Sequence, residues 1–254
     1  MQIKVLGCSG GIGGDKRTTS LLIDDDVLID AGTGVSDLSL EALLKIDHIF
    51  VTHSHLDHIA FIPLLLDTVM GLRAKPVTLH ATAEVIYILK QHIFNWLIWP
   101  DFNQIPSPKT PFLIYSEIAV GSAVRINHKT ITALPANHVV PAVGYQIDSG
   151  TNSLAFTGDT VGSDDFWHVV NKISNLKYLI IETAFSNAEA TLAALSKHLW
   201  PDALAEELSN FTGQVEIYIT HLKPGEDIII MQEIAAHPKT QHCCALQHQQ
   251  LFDF

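Results

Sequence analysis

Cysteine is scarce: the 254-residue chain has three, and two of them, Cys243 and Cys244, are neighbours. Three thiols cannot build a disulfide framework, and adjacent cysteines rarely serve a structural zinc, which needs four spaced ligands. Basic side chains are also few. Fifteen Lys and Arg stand against 27 Asp and Glu, a formal net charge of −12, and the basic residues are scattered rather than bunched. Such a surface disfavours extended nucleic-acid binding, because a phosphate backbone is held by clustered positive charge. No run of about 18 apolar residues occurs, so no membrane-spanning helix is expected. The amino terminus, Met1 to Gly7, goes straight into a strand pattern without a secretory apolar region and cleavage site, which points to a cytoplasmic protein.

What is present is enough apolar material for a large core: hydrophobic residues make up 47% of the chain and charged residues only 17%. The length suits one α/β domain spanning residues 1–254. Residues 3–7, 20–24 and 27–30 read as strands, with Asp24, Asp25 and Asp26 as a polar hairpin turn. Cys8, at the end of the first strand, reads as a small buried hydrophobe. The glycine-rich stretch Gly10 to Gly14 lacks the Lys-Ser/Thr ending of a phosphate-binding loop, so it reads as a tight loop. Ser36 is a candidate cap for a helix over 37–44. A strand over 77–80 and a helix over 83–94 precede an aromatic, proline-rich insertion around residues 91–111. It carries Trp96 and Trp99; a buried insertion is the commonest reading of such a segment, and a lid stacking on a purine or a homodimer contact are the alternatives.

The densest chemistry lies in His53-Ser54-His55-Leu56-Asp57-His58. A lone His-x-His carries little weight among 14 histidines. Three imidazoles and a carboxylate within six residues read as a metal site. Residues 47–52 before it form a buried strand and 59–66 after it an apolar helix, so the cluster sits on the connecting loop, where chemistry usually lives. Further along, apolar strands at 130–134, 154–157, 178–181 and 215–219 run towards polar residues of ligating type: His138, Asp159, Glu182 and His221.

His-x-His-x-Asp-His followed by His, Asp and His in that order resembles the hallmark of the metallo-β-lactamase-fold hydrolases, over essentially the whole chain. The resemblance implies an α/β fold, a four-layer αββα sandwich. It also implies two divalent ions: His53, His55 and His138 hold one, Asp57, His58 and His221 the other, and Asp159 bridges. Zinc is the expected metal, with manganese and iron also suited to imidazole and carboxylate.

Within that fold the chain is most similar to the class II 3′,5′-cyclic-nucleotide phosphodiesterases. It shares their His-Ser-His-Leu-Asp-His, Thr18-Thr19-Ser20 before Asp30-Ala31-Gly32-Thr33, Glu-Thr-x-Phe at Glu182, His198-Leu199 before Pro201, and Thr-His-x-Lys-Pro at His221. Phe61 stands where the family usually has a small residue. The similarity implies hydrolysis of cyclic AMP or cyclic GMP to 5′-monophosphates by a hydroxide between the ions. Asp57 would orient the water. Phosphodiesterase branches of the fold, ribonuclease Z included, carry a His that contacts the phosphate and a Glu on the preceding strand that supports it, roles that the resemblance gives to His198 and Glu182. The partner expected is a small phosphodiester. The alternatives are a ribonuclease Z-like tRNA 3′-processing endonuclease, which would need a basic arm not visible here, and a non-catalytic metal-binding module.

Overall fold

The computed structural model describes all 254 residues. The amino-terminal half runs β1 (Gln2–Gly7), β2 (Ser20–Ile23), β3 (Val27–Ile29), α1 (Leu40–Leu43), β4 (His48–Phe50), α2 (Leu56–Ile59), α3 (Phe61–Val69), β5 (Val77–Ala81), α4 (Ala83–His92), a small hairpin of β6 (Pro106–Ser107) and β7 (Thr110–Pro111), and β8 (Leu113–Glu117). The second half runs β9 (Ala123–Ile126), β10 (Lys129–Pro135), β11 (Val143–Asp148), β12 (Ser153–Phe156), α5 (Asp164–Val170), β13 (Leu176–Glu182), α6 (Ala190–Ser196), α7 (Pro201–Glu207), β14 (Glu216–Thr220), α8 (Asp227–Ala236), β15 (Cys244–Ala245) and β16 (Leu251–Asp253). One sheet has the order β16-β1-β2-β3-β4-β5-β8 and the other β15-β14-β13-β12-β11-β10-β9.

Side-chain alternation builds the layers. In β3, Val27 and Ile29 face the opposite sheet while Leu28 faces outward; in β13, Tyr178 and Ile180 face inward while Leu179 and Ile181 face outward. Both faces of the parallel strands are buried, which is why they read as unbroken apolar runs. The middle core joins Ile3, Val5, Phe50, Tyr145, Ile147 and Phe156 from the two sheets. Helix α3, through Ile62, Leu65 and Leu66, covers the first sheet from outside. Phe166, Trp167, Leu204, Ile230 and Ile234 of α5, α7 and α8 cover the second. The result is the αββα sandwich of the metallo-β-lactamase fold. No helix is long and apolar enough to cross a membrane.

Strand direction decides where chemistry can sit. Each sheet begins antiparallel and turns parallel, from β3 onward in one and β12 onward in the other. The carboxyl ends of β4, β5 and β8 therefore share one edge, as do those of β12, β13 and β14. Strand β10, two antiparallel steps from β12, ends at the latter edge too.

Three local expectations differ from the structure. Ser36 caps no α-helix: residues Thr33–Asp37 form a 3-10 turn, Leu38 is extended, and Ser39 caps α1 by accepting from the Ala42 amide at 3.3 Å. The proline-rich stretch contains the β6–β7 hairpin rather than irregular loop alone. Cys8 is half-buried, and its thiol donates to the Leu246 carbonyl at 3.4 Å.

A candidate two-metal centre at the strand ends

The loop after β4 brings His53 and His55 to the sheet edge, the short helix α2 that follows brings Asp57 and His58, and the second sheet supplies His138 after β10, Asp159 after β12 and His221 after β14. Two sets of ligand atoms result. His53, His55, His138 and Asp159 form one, and Asp57, His58, Asp159 and His221 the other, with the atoms of each set within 4.8 Å of one another. Asp159 belongs to both, the position of a bridging carboxylate.

The donor set fits cations. His55 Nδ1 lies 3.1 Å from His53 Nε2 and 3.2 Å from His138 Nε2. Tetrahedral ligands at zinc–nitrogen distances of about 2.0–2.1 Å stand roughly 3.3 Å apart, so this spacing is that of nitrogens around one ion. His58 Nε2 and His221 Nδ1 are buried without a hydrogen-bond partner, 3.4 and 3.3 Å from the Asp159 carboxylate. Two orphaned imidazole nitrogens aimed at one carboxylate are costly unless a cation joins them.

Electrostatics agree. Burial would raise Asp159, but His221, His58 and His53 overcome it and hold the carboxyl well below its usual range. Burial lowers His53 strongly, His138 to about 4 and His221 to about 3, so these rings are neutral, as ligands must be. His58 is the exception: burial works against its charge, yet Asp159 and Asp30 raise it well above the usual histidine range. The carboxylates that favour a proton there also favour a metal ion.

Outer contacts fix the rings. The wholly buried Asp30 accepts from His58 Nδ1 at 2.7 Å and from the Thr52 amide and hydroxyl at 2.8 Å each, which leaves His58 Nε2 to face the site. The His138 ring donates through Nδ1 to the Lys197 carbonyl at 3.1 Å. Asp30 (φ 57), Lys197 (φ 53) and His221 (φ 64) are all left-handed, at about 1–2 kcal/mol each for an L-residue. His221 is held there by donating its amide to the Cys8 carbonyl at 2.8 Å. Two glycines permit the loops: a Cβ on Gly32 would collide with the Asp57 carbonyl, and Gly158 takes φ +62 just before Asp159.

Beside the cluster, His198 Nδ1 donates to Glu182 Oε1 at 2.8 Å, and Glu182, fully buried, also accepts from the Thr160 and Leu199 amides. The His198 ring stacks on His221 with centroids 5.2 Å apart and meets His138 at 5.0 Å. Burial disfavours a charged His198, but Glu182 outweighs it and raises the imidazole above its ordinary value. Phe185 packs edge-on against His198 at 5.7 Å, with Lys223 Nζ 5.6 Å over its ring.

Trp96 and Trp99, expected to line the substrate site, lie elsewhere. Helix α4 starts at the β5 carboxyl end and runs back about 15 Å over ten residues. Strand β8 then begins level with the start of β5, Leu113 opposite Val77. The intervening insertion is therefore at the edge opposite the histidines: Trp96 is 60% exposed and Trp99 packs on the outer core of the first sheet. Phe61, too, packs on that core. Sequence reasoning missed Asp30 as a ligand's partner, although an apolar strand running into an acidic residue was the signal used for Asp159. It missed Lys197, for which no signal exists in the sequence.

This architecture and cluster define the class, a metal-dependent hydrolase of the metallo-β-lactamase fold. The chain belongs to the β-lactamase superfamily, whose domain model matches residues 25–236. A probable 3′,5′-cyclic-nucleotide phosphodiesterase of Yersinia pestis is 25% identical over 292 aligned positions, covering 92% of this chain and 83% of that one. A ribonuclease Z of Clostridium beijerinckii is 31% identical over 57% of this chain, which spans 48% of that enzyme. Among solved structures, unliganded yeast PDE1 superposes with a TM-score of 0.81 at 17% identity, over 98% of both chains.

Proposed function

We propose that the protein is a two-metal phosphodiesterase that opens 3′,5′-cyclic nucleotides, cyclic AMP or cyclic GMP, to 5′-monophosphates, with zinc as its working metal. The observation that carries this reading is the buried Glu182–His198 pair set directly against both ligand sets. A hydrolase needs such a proton donor only where the leaving group must be neutralised. The relative named a probable cyclic-nucleotide phosphodiesterase, of which this chain covers 83%, supports the substrate class.

The two ligand sets would hold two ions, whose chemistry when bound would be Lewis-acid charge and a water ionising near neutral pH. The residues do the rest. Asp57, its side chain 30% exposed, orients the attacking water. Glu182 accepts from His198 Nδ1, so the proton His198 can deliver sits on Nε2, and the Glu182 carboxylate favours the charged ring. His198 steadies the phosphate oxygens and protonates the 3′ oxygen as the P–O3′ bond breaks. Phe185, in place of Trp96 and Trp99, offers a ring on which the base stacks.

A ribonuclease Z reading is favoured by relatives about 30% identical, and opposed by the net charge of −12 with scattered Lys and Arg. A panel of cyclic AMP, cyclic GMP, bis(p-nitrophenyl) phosphate and precursor tRNA, run with zinc and with manganese, separates the two. The proposal expects 5′-monophosphates from the cyclic nucleotides and intact tRNA; trimmed tRNA with cyclic nucleotides untouched refutes it.

A further inference from the structure

We propose that Lys197 is the positioning residue for one of the two ions. The ion held by His53, His55 and His138 depends on it, and the ion held by Asp57, His58 and His221 does not. The inference rests on the two-ion reading of the cluster and adds a residue that no ligand motif contains.

Lys197 closes α6 in the left-handed conformation, φ 53 and ψ 52, where glycine or asparagine is the usual occupant. Its backbone and side chain both turn to one loop. The carbonyl accepts from His138 Nδ1 at 3.1 Å, while Nζ donates to the His138 carbonyl at 3.1 Å and to Asn137 Oδ1 at 2.9 Å. The first bond puts the ring proton on Nδ1 and leaves Nε2 aimed at the ion position, 3.2 Å from His55 Nδ1. The other two fix the main chain that carries the ring. Together they grip His138 at its ring and at its carbonyl.

Three of the other ligands are held by other means. Asp30 and Thr52 secure His58, Thr52 Oγ1 lies 3.0 Å from His53 Nδ1, and the Cys8 carbonyl anchors the His221 backbone. Asn137 has independent ties to Thr160 and Val161, but Val139, just beyond His138, is 49% exposed. Of these four ligands, His138 is the one whose own carbonyl is held by a single, half-buried side chain. That side chain also precedes His198, so one bracket sets both the ligand and the proposed phosphate contact.

The test uses the full chain stripped of metal and titrated with cobalt(II), reading visible absorption, chelator competition and metal content. Lys197→Gly keeps the carbonyl, relieves the left-handed backbone and removes the amine; Lys197→Met keeps the aliphatic stem. Both variants are expected to bind one cobalt as the unaltered protein does and the other 10–100-fold more weakly. The metal-free melting temperature of Lys197→Gly should be unchanged or higher, and Lys197→Arg should restore binding to within a few-fold. In a His221→Ala background Lys197→Gly weakens the remaining ion by the same factor; in a His55→Ala background it changes nothing. Two ions bound with unaltered affinity in both variants overturn the role of Lys197 alone, as does equal weakening of both ions with a lowered melting temperature. Fewer than two ions in the unaltered protein overturns the two-ion reading itself.

Discussion

His58 and His221 each keep a buried ring nitrogen free of protein partners beside the Asp159 carboxylate, while His198, paired with Glu182, belongs to neither ligand set. In the proposed mechanism the first two hold ions and the third handles protons. His198→Ala should lower kcat by about 10²–10⁴-fold with metal content unchanged. Phe185→Ala should instead raise KM for cyclic nucleotides by about tenfold, the weight of one base–aromatic stack, and leave bis(p-nitrophenyl) phosphate turnover nearly untouched. Steady-state kinetics with metal analysis reads both. A second histidine feature lies outside the centre. His80 is buried, stacks on Phe50 at 4.2 Å and has Nε2 3.0 Å from His48 Nδ1; burial, then His48, lowers it to about 4. A histidine with a depressed folded pKa is neutral in the fold and charged in the unfolded chain between that value and about 6.5. Its contribution is intact above about 6.5 and is lost as pH falls towards 4. Urea midpoints of the metal-free protein should drop between pH 7 and 5, and drop less in His80→Phe; an equal drop in both contradicts the assignment.

At the scale of elements, the β2–β3 turn is bracketed to the second sheet. Lys129, 1% exposed at the start of β10, donates to Asp24 Oδ2 at 3.0 Å and to Asp26 Oδ1. Burial alone would raise Asp24, but the Gln2 amide and Lys129 overcome it, so its carboxyl is held below the usual range. This stabilisation is present at neutral pH and is lost as pH falls through that lowered value. Asp24→Asn with Asp26→Asn strands the ammonium and should cost about 2–3 kcal/mol, less than a fully buried pair because the carboxylates keep some water. Lys129→Met, which leaves two part-exposed carboxylates able to reach solvent, should cost less; urea unfolding orders the two. The turn itself was legible, as three aspartates between apolar runs. So were most strands, because burial on both faces leaves unbroken apolar stretches. Strand β8 and helix α5 were not: Leu113–Glu117 has an irregular burial pattern, and α5 is a seven-residue helix set by Ser163 and packing rather than by a long period.

For the whole molecule, the two sheets face each other so that strands from both end around one cluster. All seven proposed ligands were legible because each is a polar residue at or beyond an apolar strand end. Trp96 and Trp99 misled for a topological reason: composition marks an exposed aromatic loop but says nothing of which edge α4 returns it to. Lys197 was hidden because its role arises from a backbone conformation and from a loop 60 residues away. The acidic charge matters at this scale: two divalent ions at the cluster would offset four of the twelve formal negative charges where the proposed phosphodiester would approach. The direct measurement is a titration of metal-free protein with zinc or manganese while cyclic AMP hydrolysis is followed. The account predicts that 5′-AMP appears only as the second equivalent binds. Full turnover with one equivalent, or two bound ions with cyclic AMP and cyclic GMP left intact, contradicts it.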